Sequence, residues 1–171
     1  MKWEFIRHCD LSSNEKYQIA KIKDQHWPYG INSQLEWMKK NIRDEDVHLI
    51  GKNETENRDL IAYLTLTKIN ILIDTEGYEA IGVGGVCVEK KHQHIGLGQN
   101  TMKEASAYIS NREKIGVLLC KDSLIKFYDI CGWKKLKYKK AITDRVEYSN
   151  NIMVLDYKKL SCDIVTIDRI F

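Results

Sequence analysis

The sequence is poor in the features that divide or staple a chain. Its 171 residues include one proline, Pro28, and ten glycines that never cluster with serine into a linker, so a single domain is expected. The five cysteines (Cys9, Cys87, Cys120, Cys131 and Cys162) are odd in number, and no two are spaced as CxxC. That argues against a zinc ribbon or a disulfide framework and for reduced thiols in a cytoplasmic protein. No metal site is expected, because His26, His48, His92 and His94 lack zinc-like partner spacing and read as solvated or core histidines. The longest apolar-plus-glycine run, residues 80–88, is far short of the roughly 20 residues a spanning helix needs. The first residues have no apolar stretch of the kind a signal peptide requires.

Apolar residues make up 43% of the chain and charged residues 30%, enough to bury a core and keep a polar surface. The net charge of +3 is too small to make nucleic acid the default partner. Its distribution is more telling. Residues 44–79 hold nine acidic and three basic groups, net −6, and residues 80–140 hold twelve basic and five acidic, net +7. The basic segment suits a polyanionic ligand. Five lysines at 134–140 read as a solvated sheet face, with a role toward a phosphate or an acidic partner as the alternative.

Residues 2–9 read as a strand, and Ser12-Ser-Asn-Glu15 as a capping box opening a helix that ends before Pro28, with Tyr17, Ala20 and Ile22 inward. Ser33-Gln-Leu-Glu36 reads as a second capping box, with Leu35, Met38 and Ile42 on one stripe. Strands are expected at 47–51, 60–73, 78–89, 115–120, 133–142 and 151–158, with a turn at 74–77. Helices are expected at 96–110 and from an Asp122 cap to Ile130. Glycines at 82, 84 and 85 inside a strand signal a bulge or a close approach. The pattern is α+β, with one parallel crossover near residues 86–120.

The chemistry concentrates in Val86-Cys-Val-Glu-Lys-Lys-His-Gln-His-Ile-Gly-Leu-Gly98. A strand runs through a short basic loop into a helix at two closely spaced glycines, the composition of an anion site at a helix N-terminus. A Walker A loop needs Gly-Lys-Ser/Thr, but Gly98 is followed by Gln99. A dinucleotide fingerprint needs a third glycine where Thr101 stands, which demotes a nucleotide-dependent oxidoreductase.

Gln93-His-Ile-Gly96-Leu-Gly98 resembles the Gln/Arg-x-x-Gly-x-Gly/Ala signature of the GNAT superfamily of acyl-CoA-dependent N-acyltransferases. Downstream, Phe127-Tyr-Asp-Ile-Cys-Gly-Trp133 is similar to that family's Phe-Tyr-x-x-x-Gly-Phe/Trp segment, and the order of elements agrees over residues 2–160. The resemblance implies a mixed, mostly antiparallel twisted sheet of about seven strands with a central splayed pair, flanked by about four helices. It implies one acetyltransferase domain at 1–160. The tail at 161–171 lies beyond the family's last strand, and its apolar residues (Cys162, Ile164, Val165, Ile167, Ile170 and Phe171) read as an added edge strand or as a surface buried against a second subunit in a homodimer.

The resemblance also assigns roles. Acetyl-CoA would be the co-substrate, with no metal. The main chain of Val86, Cys87 and Val88 would meet pantetheine, and Gln93, His94, Ile95, Gly96, Leu97 and Gly98 would hold the pyrophosphate. Tyr128 would protonate the departing thiolate. Lys121 stands where many members carry an asparagine that contacts pantetheine. Gly82 stands where some carry a catalytic glutamate, which leaves Glu79, or water, as proton acceptor. The acceptor would be a small-molecule amine in a cleft formed by residues 24–37. The aromatics there and the acidic segment point to a cationic amine with a flat or apolar body, and Trp27 and Trp37 read equally as core anchors. A non-catalytic acyl-CoA-binding or sensing domain is the alternative.

Overall fold

The computed structural model describes residues 1–54 and 59–171. Among them, four helices and nine strands follow one another as β1 (Lys2–Arg7), α1 (Ser13–Asp24), α2 (Ile31–Asn41), β2 (Val47–Lys52), β3 (Leu60–Ile73), β4 (Glu76–Val88), α3 (Leu97–Ser110), β5 (Ile115–Cys120), α4 (Ile125–Ile130), β6 (Lys134–Thr143), β7 (Val146–Glu147), β8 (Asn151–Leu155) and β9 (Ser161–Ile167). The fold is α+β with mixed, mostly antiparallel strand pairing, as the sequence implies. The strand count exceeds the expected seven because of the two-residue β7 and because the expected tail forms β9. Two compact units are formed, one from residues 1–67, 84–104 and 171, the other from 68–83 and 105–170.

In the first unit the strand order is β1-β2-β3-β4, with antiparallel ladders between β1 and β2 and between β2 and β3. The Ser12 capping box forms in full: its hydroxyl accepts from Glu15 N and the Glu15 carboxylate accepts from Ser12 N. Ile19 and Ile22 of α1 pack with Met38 and Ile42 beside Ile50, Leu60, Tyr63 and Cys87 of the strands. Burying such an aliphatic side chain fully is worth about 1.5–3 kcal/mol. Tyr17 is exposed, and the buried stripe of α1 is Ile19, Ala20, Ile22 and Lys23.

The second capping box does not form. Gly30, not a serine, precedes α2, and its N–H is held by Asp24 Oδ1 at 2.7 Å. That bond turns the chain into the helix early, so Ser33 falls inside the first turn.

In the second unit the order is β3-β4-β5-β8-β6-β7, and β9 pairs antiparallel with β3 and parallel with β6. The strands β3, β4, β5, β8, β6 and β9 thus close into a ring, which leaves none of these six as an unpaired edge. Asp74 in the β3–β4 turn fixes β9, its Oδ1 accepting from the N–H groups of Asp163 and Ile164. Asp122 does not cap α4. A 3-10 turn at Asp122–Leu124 intervenes, and the Asp122 carboxylate accepts from Asn151 Nδ2 at 2.8 Å. The parallel ladder of β4 with β5 runs only from Ala80↔Ile115 to Val83↔Leu118, while β4 continues to Val88 and β5 to Cys120. This is the splayed pair implied by the resemblance.

Trp133 is fully buried, with its indole N–H donating to Ser106 Oγ at 3.1 Å. Gly116 of β5 makes room for it, since a Cβ there would lie 2.7 Å from the Trp133 ring and 3.0 Å from Leu155 Cβ. A rigid ring and a strand neighbour cannot both yield. Gly116→Ala is therefore expected to lower the stability to urea by about 1–3 kcal/mol, the usual cost of overpacking, with little change in m-value.

Candidate functional site

The segment singled out by its sequence leaves β4 at Val88, where Glu89 N donates to Ile61 O at 2.8 Å. A 3-10 turn at Lys90–His92 follows, then residues 93–96, and α3 begins at Leu97. His94 and Gly96 take φ of +63° and +83°, the left-handed backbone that turns successive N–H groups toward a common side. Leu97 is buried and anchors the helix start, whereas Ile95 is 71% exposed. A Cβ added at Gly96 would meet nothing within 4 Å, so the space over the loop is open. Lys90 and Lys91 stand exposed beside it, and Glu89 holds His92 Nδ1 at 2.9 Å. The arrangement is a basic backbone nest at the positive end of a 14-residue helix, able to hold a polyanion.

The end of α1 is tied to this loop. His26 Nε2 and Gln93 Nε2 both reach Val88 O, at 2.8 and 3.3 Å, and Gln25 Oε1 accepts from Lys90 N at 2.9 Å. The Val88 carbonyl, expected to meet pantetheine, is already engaged by these two side chains. Val86 is half-buried and Cys87 lies in the core, where burial pushes its thiol up to about 12. Such a thiol is a packing group and not a nucleophile.

A pocket of about 350 Å³ lies against α1, α2 and Gly85 of β4, where the backbone takes a φ of +61°. Lys23, Trp27, Trp37, Thr65, Gly85 and Phe171 are among its walls. The expected acceptor segment, residues 24–37, therefore does line a cavity, and Trp27 also packs on the core. Lys23, Thr65 and Phe171 were not anticipated. Only the helical phase of Lys23, shared with Ile19 and Ile22, hinted that it turns inward.

The remaining candidates lie in the second unit. Tyr128 is 6% exposed, its ring edge-on to Phe127, and its hydroxyl makes no hydrogen bond with another described residue. Burial, with smaller contributions from Cys120 and Cys131, pushes its pKa up, so the phenol keeps its proton. Glu79 is exposed and paired with Lys114 at 2.5 Å, whose ammonium holds the carboxyl below its ordinary range. Lys121 is exposed at the entry to α4.

No protein-family model matches the sequence, and no curated protein matches it. Solved structures do. Escherichia coli ElaA is 16% identical, with a TM-score of 0.65 over 91% of this chain and 100% of its own. An acyl-CoA N-acyltransferase from Pseudomonas aeruginosa is 18% identical, with a TM-score of 0.65 over 90% and 99%. A GNAT family acetyltransferase from Brucella melitensis, in complex with acetyl-CoA, is 13% identical, with a TM-score of 0.59 over 95% and 94%. The fold is that of the GNAT N-acyltransferases, complete over nearly the whole chain.

A buried polar string in the first unit carries a pH signature. His8 Nδ1 lies 3.0 Å from His48 Nε2, and His48 Nδ1 lies 2.8 Å from the Tyr63 hydroxyl. Burial, reinforced by neighbouring His8, brings the His48 pKa down to about 3. The unfolded chain protonates this ring near the ordinary value of about 6.5 and so binds more protons below it than the folded chain does. Stability is expected to fall as pH drops from that value toward 3. A His48→Gln variant should show a shallower acid limb in urea midpoints measured across this range.

Proposed function

We propose that the protein is an acetyl-CoA-dependent N-acetyltransferase that modifies a primary amine on a small molecule, both substrates being bound together. The observation that carries this reading is the loop at residues 93–98. Its left-handed turns, open face and helix N-terminus fit a pyrophosphate, and they occur in a fold shared with a neighbour that binds acetyl-CoA.

Within this reading the backbone N–H groups of Gln93, His94, Ile95, Gly96, Leu97 and Gly98 hold the pyrophosphate, with Lys90 and Lys91 adding positive potential. The main chain of Val86 and Cys87 receives the pantetheine arm, while the engaged Val88 carbonyl serves to brace the loop. Lys121 stands at the mouth of α4 as a further contact. Bound acetyl-CoA supplies an activated acetyl group whose transfer to a neutral amine releases a thiolate. Tyr128 holds the proton that a departing thiolate requires, and its burial keeps that proton in place at neutral pH. Glu79 is exposed and tied to Lys114, so in this reading the amine proton passes to water. A cytoplasmic setting is consistent with five unpaired cysteines.

Thioester consumption measured over a panel of amines tests this. Turnover with at least one small amine is expected, and Tyr128→Phe should lower kcat by about 100-fold, the low end for a general acid because a thiol leaves readily. Acetyl-CoA binding without turnover on any amine would favour the non-catalytic, sensing reading instead.

A further inference from the structure

Lys23 sits on the buried stripe of α1 and is 6% exposed. Its ammonium lies 4.3 Å from the centre of the Trp37 ring and lines the pocket of the first unit. Among the described residues no carboxylate pairs with it. A cation taken from water without a counter-ion costs several kcal/mol, and one aromatic face returns about 0.5–2 kcal/mol of that. The charge is thus left poorly compensated at the wall of a cavity.

We propose that this pocket takes a small primary amine that also carries a carboxylate, on an aromatic or apolar body, and that Lys23 selects it by pairing with the carboxylate. The proposal rests on the acyltransferase reading for the amine. Trp27, Tyr29 and Trp37 supply flat apolar walls for the body, and about 350 Å³ admits a small molecule and little more. Among the described residues no acidic side chain lines the cavity.

This revises the expectation of a cationic acceptor. That expectation rested on the acidic segment 44–79, and several of its described carboxylates are engaged elsewhere. Asp46 accepts from Arg43 N, Asp74 from the β9 backbone, Glu76 from the Tyr78 hydroxyl, and Glu79 pairs with Lys114.

The same lysine assists the chemistry. A positive charge close to an amine disfavours its ammonium form, which raises the share of the neutral nucleophile. It also repels polyamines, whose charges would find no partner in the pocket. Gly85, part of the pocket wall, immediately precedes Val86 of the strand assigned to pantetheine, so an amine held here lies next to that strand.

Tryptophan fluorescence titrations in the presence of CoA test the assignment. The probes are L-phenylalanine, L-phenylalaninamide, which lacks the carboxylate, and spermidine. They are run on the wild type, Lys23→Met and Lys23→Arg. L-phenylalanine is expected to bind at least about tenfold more tightly than the amide, the worth of one charge-assisted hydrogen bond. That gap should vanish in Lys23→Met and return in part in Lys23→Arg. Equal or tighter binding of the amide or of spermidine overturns the proposal. So does a gap that survives in Lys23→Met, or the failure of all three probes to bind. CoA binding, measured in the same samples, reports separately on the acyltransferase reading and on the folding of each variant.

Discussion

At Gly85 the backbone of β4 enters φ +61°, and the site of the first unit takes its form from that single kink. An L-residue held there pays about 1–2 kcal/mol, and its Cβ would lie 3.4 Å from the Tyr63 ring and within 4.0 Å of Thr65 Oγ1 and Lys23 Cε. Those are ordinary contact distances, so it is the backbone conformation that favours glycine here. Before the kink, β4 pairs in parallel with β5 as far as Val83. Just before it, Gly84 O accepts from Thr65 Oγ1 at 3.1 Å, and beyond it the strand runs to Val88 and on to the loop at residues 93–98. Gly85 itself stands in the wall of the pocket.

The loop depends on a second set of bonds made from α1. Without His26, Gln25 and Gln93 the carbonyl of Val88 at the end of β4 and the N–H of Lys90 in the following turn would lose these partners. These side chains satisfy both and hold helix, strand end and loop as one piece. A phosphate site made of backbone N–H groups works only if those groups are fixed in advance, since ordering them on binding would consume the interaction energy. The charge pattern along the chain follows the same division. The basic segment contains the loop, whereas Asp46, Asp74 and Glu79 of the acidic one engage turns and a surface pair.

The legible parts of this protein were those written in contiguous residues. The Ser12–Glu15 box, the turn after Ile73 and the Gln93-to-Gly98 run each specify their geometry within a few positions, and each is present. The glycines at 84 and 85 announced an irregularity in β4, though not its left-handed sense. Features that needed distant partners were not readable. The Ser33 box competed with a bond from Asp24 to Gly30 N that no local pattern reveals. The strand character of residues 161–167 depends on β3 and β6, far off in sequence. Lys23 carried no mark in the sequence beyond its helical phase, because burial of a charge is decided by what packs around it, here Trp37 and the kinked strand. In the candidate site, the turns of residues 93–98 and the cavity-lining segment 24–37 were therefore legible, whereas Lys23, Thr65 and Phe171 were not.

The central claim is that the loop at residues 93–98 holds the pyrophosphate of coenzyme A. Isothermal titration of the full chain with CoA, set against the same titration with NADPH, tests it most directly. The account predicts one CoA per chain, an affinity that weakens as salt is raised, and loss of binding in a variant with Gly96→Val, whose φ of +83° a β-branched residue cannot adopt without strain. Saturable binding of NADPH with none of CoA, or CoA binding that Gly96→Val leaves unchanged, would contradict it.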